Sequence, residues 1–234
     1  MHAAATIKTT SQNHPLERLP IANPYSKFEK VANHFPPRPS RYIGIFAMAS
    51  INKENSGKKK SLHLRHNGRS IILVGMMGVG KTSIGKKLAQ RLGLKFADAD
   101  DEIEKAADLK VAEIFERFGE EYFRDGERRV IARLLDGPPQ VIATGGGAFL
   151  NPETQALIKQ KALSIWLNAD INILVERVSR RNHRPLLHGK DPRQVLVELG
   201  KIRSPIYAHA DIHACSDASP QERTVDQIME LLTK

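Results

Sequence analysis

Residues 75–82 read Gly-Met-Met-Gly-Val-Gly-Lys-Thr and complete a GxxxxGK[ST] pattern, which is typical of a loop that holds nucleotide phosphates. An apolar run precedes the loop and a stretch with helical spacing follows it, as this motif requires. The glycines allow consecutive backbone N–H groups to turn around a phosphate, and the helix N-terminus adds partial positive charge. The loop therefore predicts a nucleoside triphosphate site formed by Gly78, Val79, Gly80, Lys81, Thr82 and Ser83.

Two residues of this loop and one later aspartate predict how the phosphates and a metal are held. Lys81 can reach the outer phosphates as a catalytic cation, and the Thr82 hydroxyl can bind Mg²⁺. No long apolar strand ends in Asp, the usual source of the metal's carboxylate in P-loop proteins. Asp98, at the end of the second predicted strand, is the available substitute, and water would bridge it to the metal because Mg²⁺ keeps several waters.

The stretch 95–104, KFADADDEIE, carries a second carboxylate that calls for a separate role. On an extended backbone Asp98 and Asp100 point to the same side, which is unfavourable unless a cation lies nearby. We expect Asp100 to face the acceptor of the phosphoryl group and Asp101 to start the following helix, where an acid is favoured. The simpler alternative is that these residues only cap a helix and carry solvated charge.

Three consecutive glycines, Gly145, Gly146 and Gly147, follow the short apolar run Val141–Ala143. Glycine lets a ligand approach the backbone closely, and ligands of open parallel sheets bind at the carboxyl ends of the strands. The triple glycine predicts a turn against which a small molecule lies. A flexible turn without a ligand is the alternative.

The elements that must position these residues alternate between strand and helix from residue 70 onward. Strand-like apolar runs are followed by helical periods, among them two predicted helices at 111–118 and 123–135. This alternation predicts a parallel sheet with helices on both faces.

Charge and composition narrow the class of protein further. The 234 residues carry a net charge of +10, but residues 1–70 hold 12 Lys+Arg against 3 Asp+Glu, which leaves a balance of +1 for residues 71–234. A folded part that is nearly neutral argues against nucleic acid as a partner. The sequence has no run of 18 apolar residues, so it predicts no membrane span. Its single cysteine excludes an internal disulfide and fits a reducing compartment.

Residues 1–64 differ in composition from the remainder of the chain. Six of the 13 prolines fall within residues 1–39, and no amphipathic period of useful length appears. Such a segment buries too little apolar surface to offset its ordering entropy, so we predict a disordered N-terminal extension. A targeting peptide, a functional tail, and an upstream start codon ahead of Met48 are the explanations left open.

Six motifs in order give a resemblance to a known family: GMMGVGKTSIG, FADAD, FGEEYFRDGE, ATGGGA, RRNHRPLL and RSPIYAHAD. Over about residues 70–232 the sequence resembles shikimate kinase. The resemblance implies a three-layer α/β/α fold with a five-stranded parallel sheet in the order 2-3-1-4-5, in one P-loop kinase domain over residues 65–234 with a lid at about 177–192. It implies transfer of the ATP γ-phosphoryl group to the 3-hydroxyl of shikimate, in the pathway to chorismate and aromatic amino acids.

The resemblance also implies roles for individual residues. Asp98 matches the aspartate on the magnesium side and Asp100 the one that binds the shikimate hydroxyls. Residues that match the substrate site are Arg124, Glu127, Gly145, Gly146, Gly147 and Arg203, with the two arginines on the substrate carboxylate, which their planar forks suit. On the ATP side, Arg184 matches the lid arginine that closes on the phosphates, Arg177 an arginine near adenine, and Pro220 a residue of the adenine loop.

Two other functions stay open at this point. Another hydroxy acid such as gluconate also carries a carboxylate and would suit a P-loop kinase of this size. A P-loop switch or nucleic-acid-associated ATPase could use the basic N-terminal segment, but it would leave Asp100, Arg124 and Arg203 without a role. We predict a cytoplasmic enzyme, monomeric as is usual for the family, that uses ATP and Mg²⁺ and has no nucleic-acid or membrane partner.

Overall fold

A five-stranded, all-parallel sheet is the centre of the computed structural model, which describes residues 64–180 and 191–233. The strand order is β2-β3-β1-β4-β5, which confirms the predicted order 2-3-1-4-5. The strands are β1 Ser70–Val74, β2 Lys95–Asp98, β3 Gln140–Ala143, β4 Ala162–Asn168 and β5 Ile212–Cys215.

Helices surround this sheet, as the three-layer fold requires. Helices α1, α4 and α7 contact β3, β4 and β5, respectively. The described helices are α1 Lys81–Leu92, α2 Ala99–Ala107, α3 Val111–Asp136, α4 Pro152–Lys161, α5 Ile171–Ser179, α6 Pro192–Tyr207 and α7 Gln221–Thr233, with a 3₁₀ turn at Ala148–Leu150.

Helix α3 covers the two separately predicted helices, which meet at a kink rather than at a loop. The chain is kinked at Gly119, whose backbone angles of φ 80° and ψ 176° are not helical. A positive φ of this size is accessible mainly to glycine, so the kink falls where the sequence permits it. The gap that we expected between the two helices is therefore a single bent point.

The central strand β1 fixes the site at one edge of the sheet. Its five residues are all buried, and Ile71 pairs with Val141 of β3 on one side and Leu163 of β4 on the other. A strand buried on both faces is apolar throughout, which is what the run Ser70–Val74 indicates. Because the strands are parallel, their carboxyl ends meet at one edge, where β1 leads into the phosphate loop and β3 into the triple glycine.

The helix after β2 begins earlier than expected. Helix α2 starts at Ala99, and the Asp98 carboxylate caps it by accepting a hydrogen bond from the Asp100 backbone N–H at 3.1 Å. The prediction that Asp101 starts this helix was therefore wrong by two residues. Asp98 has an extended backbone, whereas Asp100 already lies in the helix. The relative direction of the two carboxylates is therefore set by the turn into the helix and not by the alternation of side chains along a strand.

Several predictions fall on residues outside the described part of the chain. The predicted lid at 177–192 overlaps the end of α5 and the start of α6, and residues 181–190 between them, including Arg184, are not described. The predicted extension 1–64 lies outside as well, apart from Leu64. In residues 64–180 and 191–233, no helix is long and apolar enough to cross a membrane.

Candidate active site

A cavity of about 410 Å³ opens at the carboxyl edge of the sheet. It lies between the phosphate loop, the end of β2 and the turn after β3. Of the predicted site residues, those that line it are Gly78, Val79, Gly80, Lys81, Thr82, Ser83, Asp98, Asp100, Gly145, Gly146 and Arg177. Most residues predicted for the nucleotide therefore share one cavity with three residues predicted for the acceptor, Asp100, Gly145 and Gly146.

The phosphate loop occupies the start of α1. Gly80 caps the helix and Lys81 is its first residue, so backbone N–H groups at the helix N-terminus face the cavity region. The Lys81 ammonium donates hydrogen bonds to the carbonyls of Gly75 at 2.8 Å and Met76 at 3.0 Å. These hydrogen bonds hold the ammonium group at the first residues of the phosphate loop, beside the cavity, where it could bind a phosphate oxygen.

Thr82 and Asp98, the two predicted metal ligands, form a pair of neighbouring oxygen groups. The Thr82 hydroxyl donates to Asp98 Oδ2 at 2.7 Å, and both residues line the cavity. Hydroxyl and carboxylate oxygens suit Mg²⁺, which is usually bound by one or two such groups, phosphate oxygens and water. Among the described residues no group of three or more His, Cys, Asp or Glu side chains could hold a metal ion.

Asp100 is a carboxylate held in an unfavourable environment. Burial and the neighbouring charge of Asp98 raise its pKa to about 6, although Lys81 and Arg124 oppose the rise. Its Oδ1 is buried and finds no hydrogen-bond partner among the described residues. A buried acceptor without a donor costs free energy, so this oxygen is prepared for a donor that a ligand brings.

Glu127, on α3, has a second unpartnered oxygen in the same place. Its Oε1 also lacks a hydrogen-bond donor among the described residues, although the side chain is only 2% exposed. Burial raises the pKa of Glu127, and its hydrogen bond from Arg124 at 2.7 Å opposes the rise. A Cβ on Gly145 would lie 2.7 Å from Glu127 Oε1 and 3.0 Å from Asp100 Oδ1. The two oxygens are therefore close together, and a ligand that binds beside Gly145 could donate hydrogen bonds to both.

The triple-glycine turn is packed directly against the two predicted carboxylate-binding arginines. A Cβ on Gly147 would lie 2.5 Å from Nη1 of Arg124, and one on Gly146 would lie 3.2 Å from Nη1 of Arg203. A side chain at either position would push the guanidinium group away from the main chain, by more at Gly147 than at Gly146. The turn is therefore not simply flexible, and its glycines are explained by their neighbours.

The two arginines differ in how they are held. Arg124 is bound to Glu127 and, at 3.0 Å, to Glu120, and its side chain is 28% exposed. Arg203, on α6, is only 8% exposed, and its guanidinium group interacts with the side chain of Tyr207 one helical turn further on. Their surroundings place both cations beside the glycine turn, with Glu127 fixing the first of them.

Arg177 and Pro220 lie on the nucleotide side. Arg177 donates hydrogen bonds to Ser216 Oγ at 2.9 Å and to the Val79 carbonyl at 3.3 Å, and so ties α5 to both the phosphate loop and the loop after β5. Pro220 immediately precedes α7, and its neighbour Gln221 lines the cavity, whereas Pro220 itself does not.

Some site residues are placed beside the cavity rather than on its wall, and others were missed. Arg124, Glu127, Gly147 and Arg203 do not line the cavity, although they adjoin the turn that does. Residues that line it without having been predicted are Met77, Ile84, Thr144, Arg180, Ser216 and Gln221. The fully buried Tyr207, whose hydroxyl donates to the Gly146 carbonyl, was also missed. Its position four residues after Arg203, on the same helix face, was the available signal.

The comparisons with known proteins agree with this geometry. Residues 77–233 match the family model described as shikimate kinase. A shikimate kinase of Caulobacter vibrioides is 56% identical over 164 residues, which cover 70% of this chain and 82% of the relative. One of Bradyrhizobium diazoefficiens is also 56% identical over 164 residues, covering 70% and 79%.

Solved structures with the same fold point to the same family. A shikimate kinase from Acinetobacter baumannii in complex with shikimate is 35% identical, covers 70% of this chain and 92% of its own, and has a TM-score of 0.67. The family match covers more than half of this chain, and the Caulobacter vibrioides relative is 56% identical over 164 residues. On these grounds the chain belongs to the shikimate kinase family.

Proposed function

We propose that this enzyme transfers the γ-phosphoryl group of ATP to the 3-hydroxyl of shikimate. The observation that carries the proposal is the pair of buried oxygens on Asp100 and Glu127, which have no hydrogen-bond donor in the part of the chain that the structure describes and lie beside Gly145. Shikimate has hydroxyls to donate to these oxygens and a carboxylate for the guanidinium groups. The relative in complex with shikimate supports the choice of acceptor.

Asp100 is proposed to orient the acceptor hydroxyl and take its proton. A pKa of about 6 leaves the carboxylate mostly ionised at neutral pH and close to the value at which proton transfer is efficient. As the proton moves to Asp100, the acceptor oxygen forms a bond to the γ-phosphorus and the bond from phosphorus to the leaving oxygen of ADP breaks. Most of the rate in such transfers comes from positioning and charge stabilisation.

The acceptor's carboxylate is proposed to bind Arg124 and Arg203. Both guanidinium groups lie against the glycine turn, and an Arg fork binds a carboxylate through two parallel hydrogen bonds. Binding the carboxylate at one end of the acceptor and the reacting hydroxyl at Asp100 fixes the orientation of the ring. Gly145, Gly146 and Gly147 then let the acceptor lie close to the main chain.

The phosphate loop is proposed to hold ATP, with Lys81 on the outer phosphates and Thr82 and Asp98 beside Mg²⁺. The hydroxyl–carboxylate pair at 2.7 Å offers oxygen ligands of the kind that Mg²⁺ prefers. Mg²⁺, when bound, neutralises charge on the phosphate oxygens. Arg177 and Pro220 are proposed on the adenine side, and Arg184 as the lid cation.

Steady-state ADP release tests the proposed acceptor. The enzyme is assayed with Mg²⁺ and ATP in the presence of shikimate, of gluconate, or of neither. We expect ADP release that requires shikimate, with gluconate giving at most background, because gluconate lacks the ring that would seat its hydroxyls and its carboxylate at once. Faster turnover with gluconate would assign the site to another hydroxy acid, and ADP release independent of either would indicate a P-loop ATPase.

The domain limits and the state of the enzyme in the cell remain proposals. We propose that residues 65–234 are the kinase domain, since the family match begins at residue 77 and β1 at Ser70. A chain that begins at Ser61 is expected to keep its activity within a few-fold. That the enzyme is monomeric and cytoplasmic stays a prediction, to be tested by sedimentation and by localisation of the tagged full chain.

A further inference from the structure

Tyr207 joins the end of helix α6 to the glycine turn. It is the last residue of α6, its side chain is fully buried, and its hydroxyl donates a hydrogen bond to the Gly146 carbonyl. A buried tyrosine hydroxyl normally has such a partner, but this one bonds a main-chain group 61 residues away, in the turn that lines the cavity. The hydroxyl therefore adds a specific hydrogen bond between α6 and the glycine turn, next to the packing of α6 against the 3₁₀ turn Ala148–Leu150.

Tyr207 and Arg203 contact the same residue from the same helix face. They are four residues apart, which places their side chains one above the other. Arg203 Nη1 lies 3.2 Å from the point where a Cβ on Gly146 would stand, so the guanidinium and the hydroxyl both lie on Gly146. The positive charge of Arg203 also opposes the rise that burial causes in the pKa of Tyr207, as expected for close neighbours.

A proline lies close to this end of helix α6. Pro205 lies inside α6 between the two residues, and it has no N–H to donate to the carbonyl one turn earlier. The helix therefore lacks one hydrogen bond at Pro205, although the Ala208 N–H donates to the Ser204 carbonyl at 3.0 Å. The hydrogen bond from Tyr207 to Gly146 links this end of the helix to the glycine turn.

We propose that Tyr207 is a positioning residue. It fixes the position of Arg203 relative to the glycine turn, so that the guanidinium group is already oriented for the acceptor's carboxylate before the acceptor binds. The role rests on the proposed function, since it concerns the acceptor side of that site. We expect removal of the Tyr207 hydroxyl to change the affinity for shikimate more than the affinity for ATP. The hydroxyl bonds the glycine turn, whereas the ATP side of the cavity is formed by α1, α5 and the loop after β5.

The test is Tyr207→Phe, which keeps the ring and removes only the hydroxyl. Losing this hydrogen bond leaves the Gly146 carbonyl short of a donor, so we expect KM for shikimate to rise by roughly three- to ten-fold, with KM for ATP unchanged within about two-fold. Ser164→Ala is the matched control. It removes another buried hydroxyl, bonded to Asp211 at 2.7 Å and remote from the cavity, and should change neither KM.

A second variant separates positioning from a loss of stability. All assays are run well below the melting temperature of each variant, and Tyr207→Phe is combined with Arg203→Lys. If Tyr207 acts through Arg203, its effect on KM for shikimate should be smaller in the Arg203→Lys background than in the natural enzyme.

The outcomes distinguish this inference from the proposed function. If the natural enzyme does not phosphorylate shikimate, the proposed function fails. If it does, but Tyr207→Phe leaves KM for shikimate unchanged, raises both KM values alike, or adds fully to Arg203→Lys, the positioning role of Tyr207 is overturned and the hydroxyl only stabilises the fold.

Discussion

Removing the charge of Asp100 should stabilise the fold while it disables the site. The folded-state pKa of about 6 lies about 2 above the ordinary value of 3.8, so the folded enzyme binds this proton more tightly than the unfolded chain does. At 1.36 kcal/mol for each pKa unit, keeping Asp100 ionised at neutral pH costs the folded state up to about 3 kcal/mol. Asp100→Asn removes that cost and retains the side chain's size.

Thermal unfolding of the ligand-free enzyme in EDTA measures the effect. For a domain of this size about 1 kcal/mol corresponds to roughly 2–4 °C, so Asp100→Asn should raise the melting temperature at pH 7.5 by at least about 3 °C and at most about 12 °C. A raised pKa in an acid destabilises the fold fully above the folded-state pKa and not at all below the unfolded-state pKa, so the gain should shrink as the pH falls from about 6 towards 3.8.

Asp101→Asn is the matched control for this prediction. Asp101 is exposed and lies on the same first turn of α2, so its replacement should change the melting temperature little, or lower it slightly by weakening the interaction with the helix dipole. An Asp100→Asn variant that is less stable than the natural enzyme at pH 7.5, or a gain that persists undiminished at pH 4.5, would refute the reasoning about its burial.

Three further predictions concern the acceptor and the metal. Arg203→Ala should raise KM for shikimate by roughly ten- to a hundred-fold with KM for ATP nearly unchanged, Arg203→Lys restoring only part, in steady-state assays; a larger change in KM for ATP would move Arg203 out of the acceptor site. Asp98→Asn should raise the Mg²⁺ concentration for half-maximal activity, measured by titration, with shikimate affinity kept; an unchanged Mg²⁺ requirement would contradict it. Gly147→Ala should raise KM for shikimate by about ten-fold, the scale of one charge-assisted hydrogen bond, because the added Cβ would displace Arg124. Gly200→Ala, which has open space around it, is the control and should leave KM for shikimate unchanged. Equal effects of the two variants would contradict the contact between Gly147 and Arg124.

The nucleotide side of the site could be predicted because its determinants are local. Strand, glycine loop and helix are contiguous from Ser70 to Leu92, so a motif of eight residues fixes both the loop's shape and the place of Lys81 and Thr82. The pairing of Thr82 with Asp98 followed from the parallel sheet, whose carboxyl ends meet at one edge.

The acceptor side was only partly predictable, because long-range packing builds it. Spacing alone did not reveal that α2 begins at Ala99, since a cap made by Asp98 itself depends on the turn out of β2. The burial of Glu127 and the bond from Tyr207 to Gly146 join elements far apart in the chain, and no local pattern encodes either of them. The resemblance to a family supplied the arginines, whereas the reason for the glycines became visible only in their contacts.

The central claim, that Asp100 takes the proton of a shikimate hydroxyl, is tested most directly by single-turnover kinetics of Asp100→Asn. Enzyme in excess is mixed with Mg²⁺, ATP and shikimate, the phosphorylated product is followed by mass spectrometry, and affinity for ATP with Mg²⁺ is measured by calorimetry. We predict that shikimate 3-phosphate forms with the natural enzyme and that the variant forms it slower by on the order of 10²–10⁴, with nearly unchanged ATP affinity. A variant that forms the product within about three-fold of the natural rate would contradict the claim.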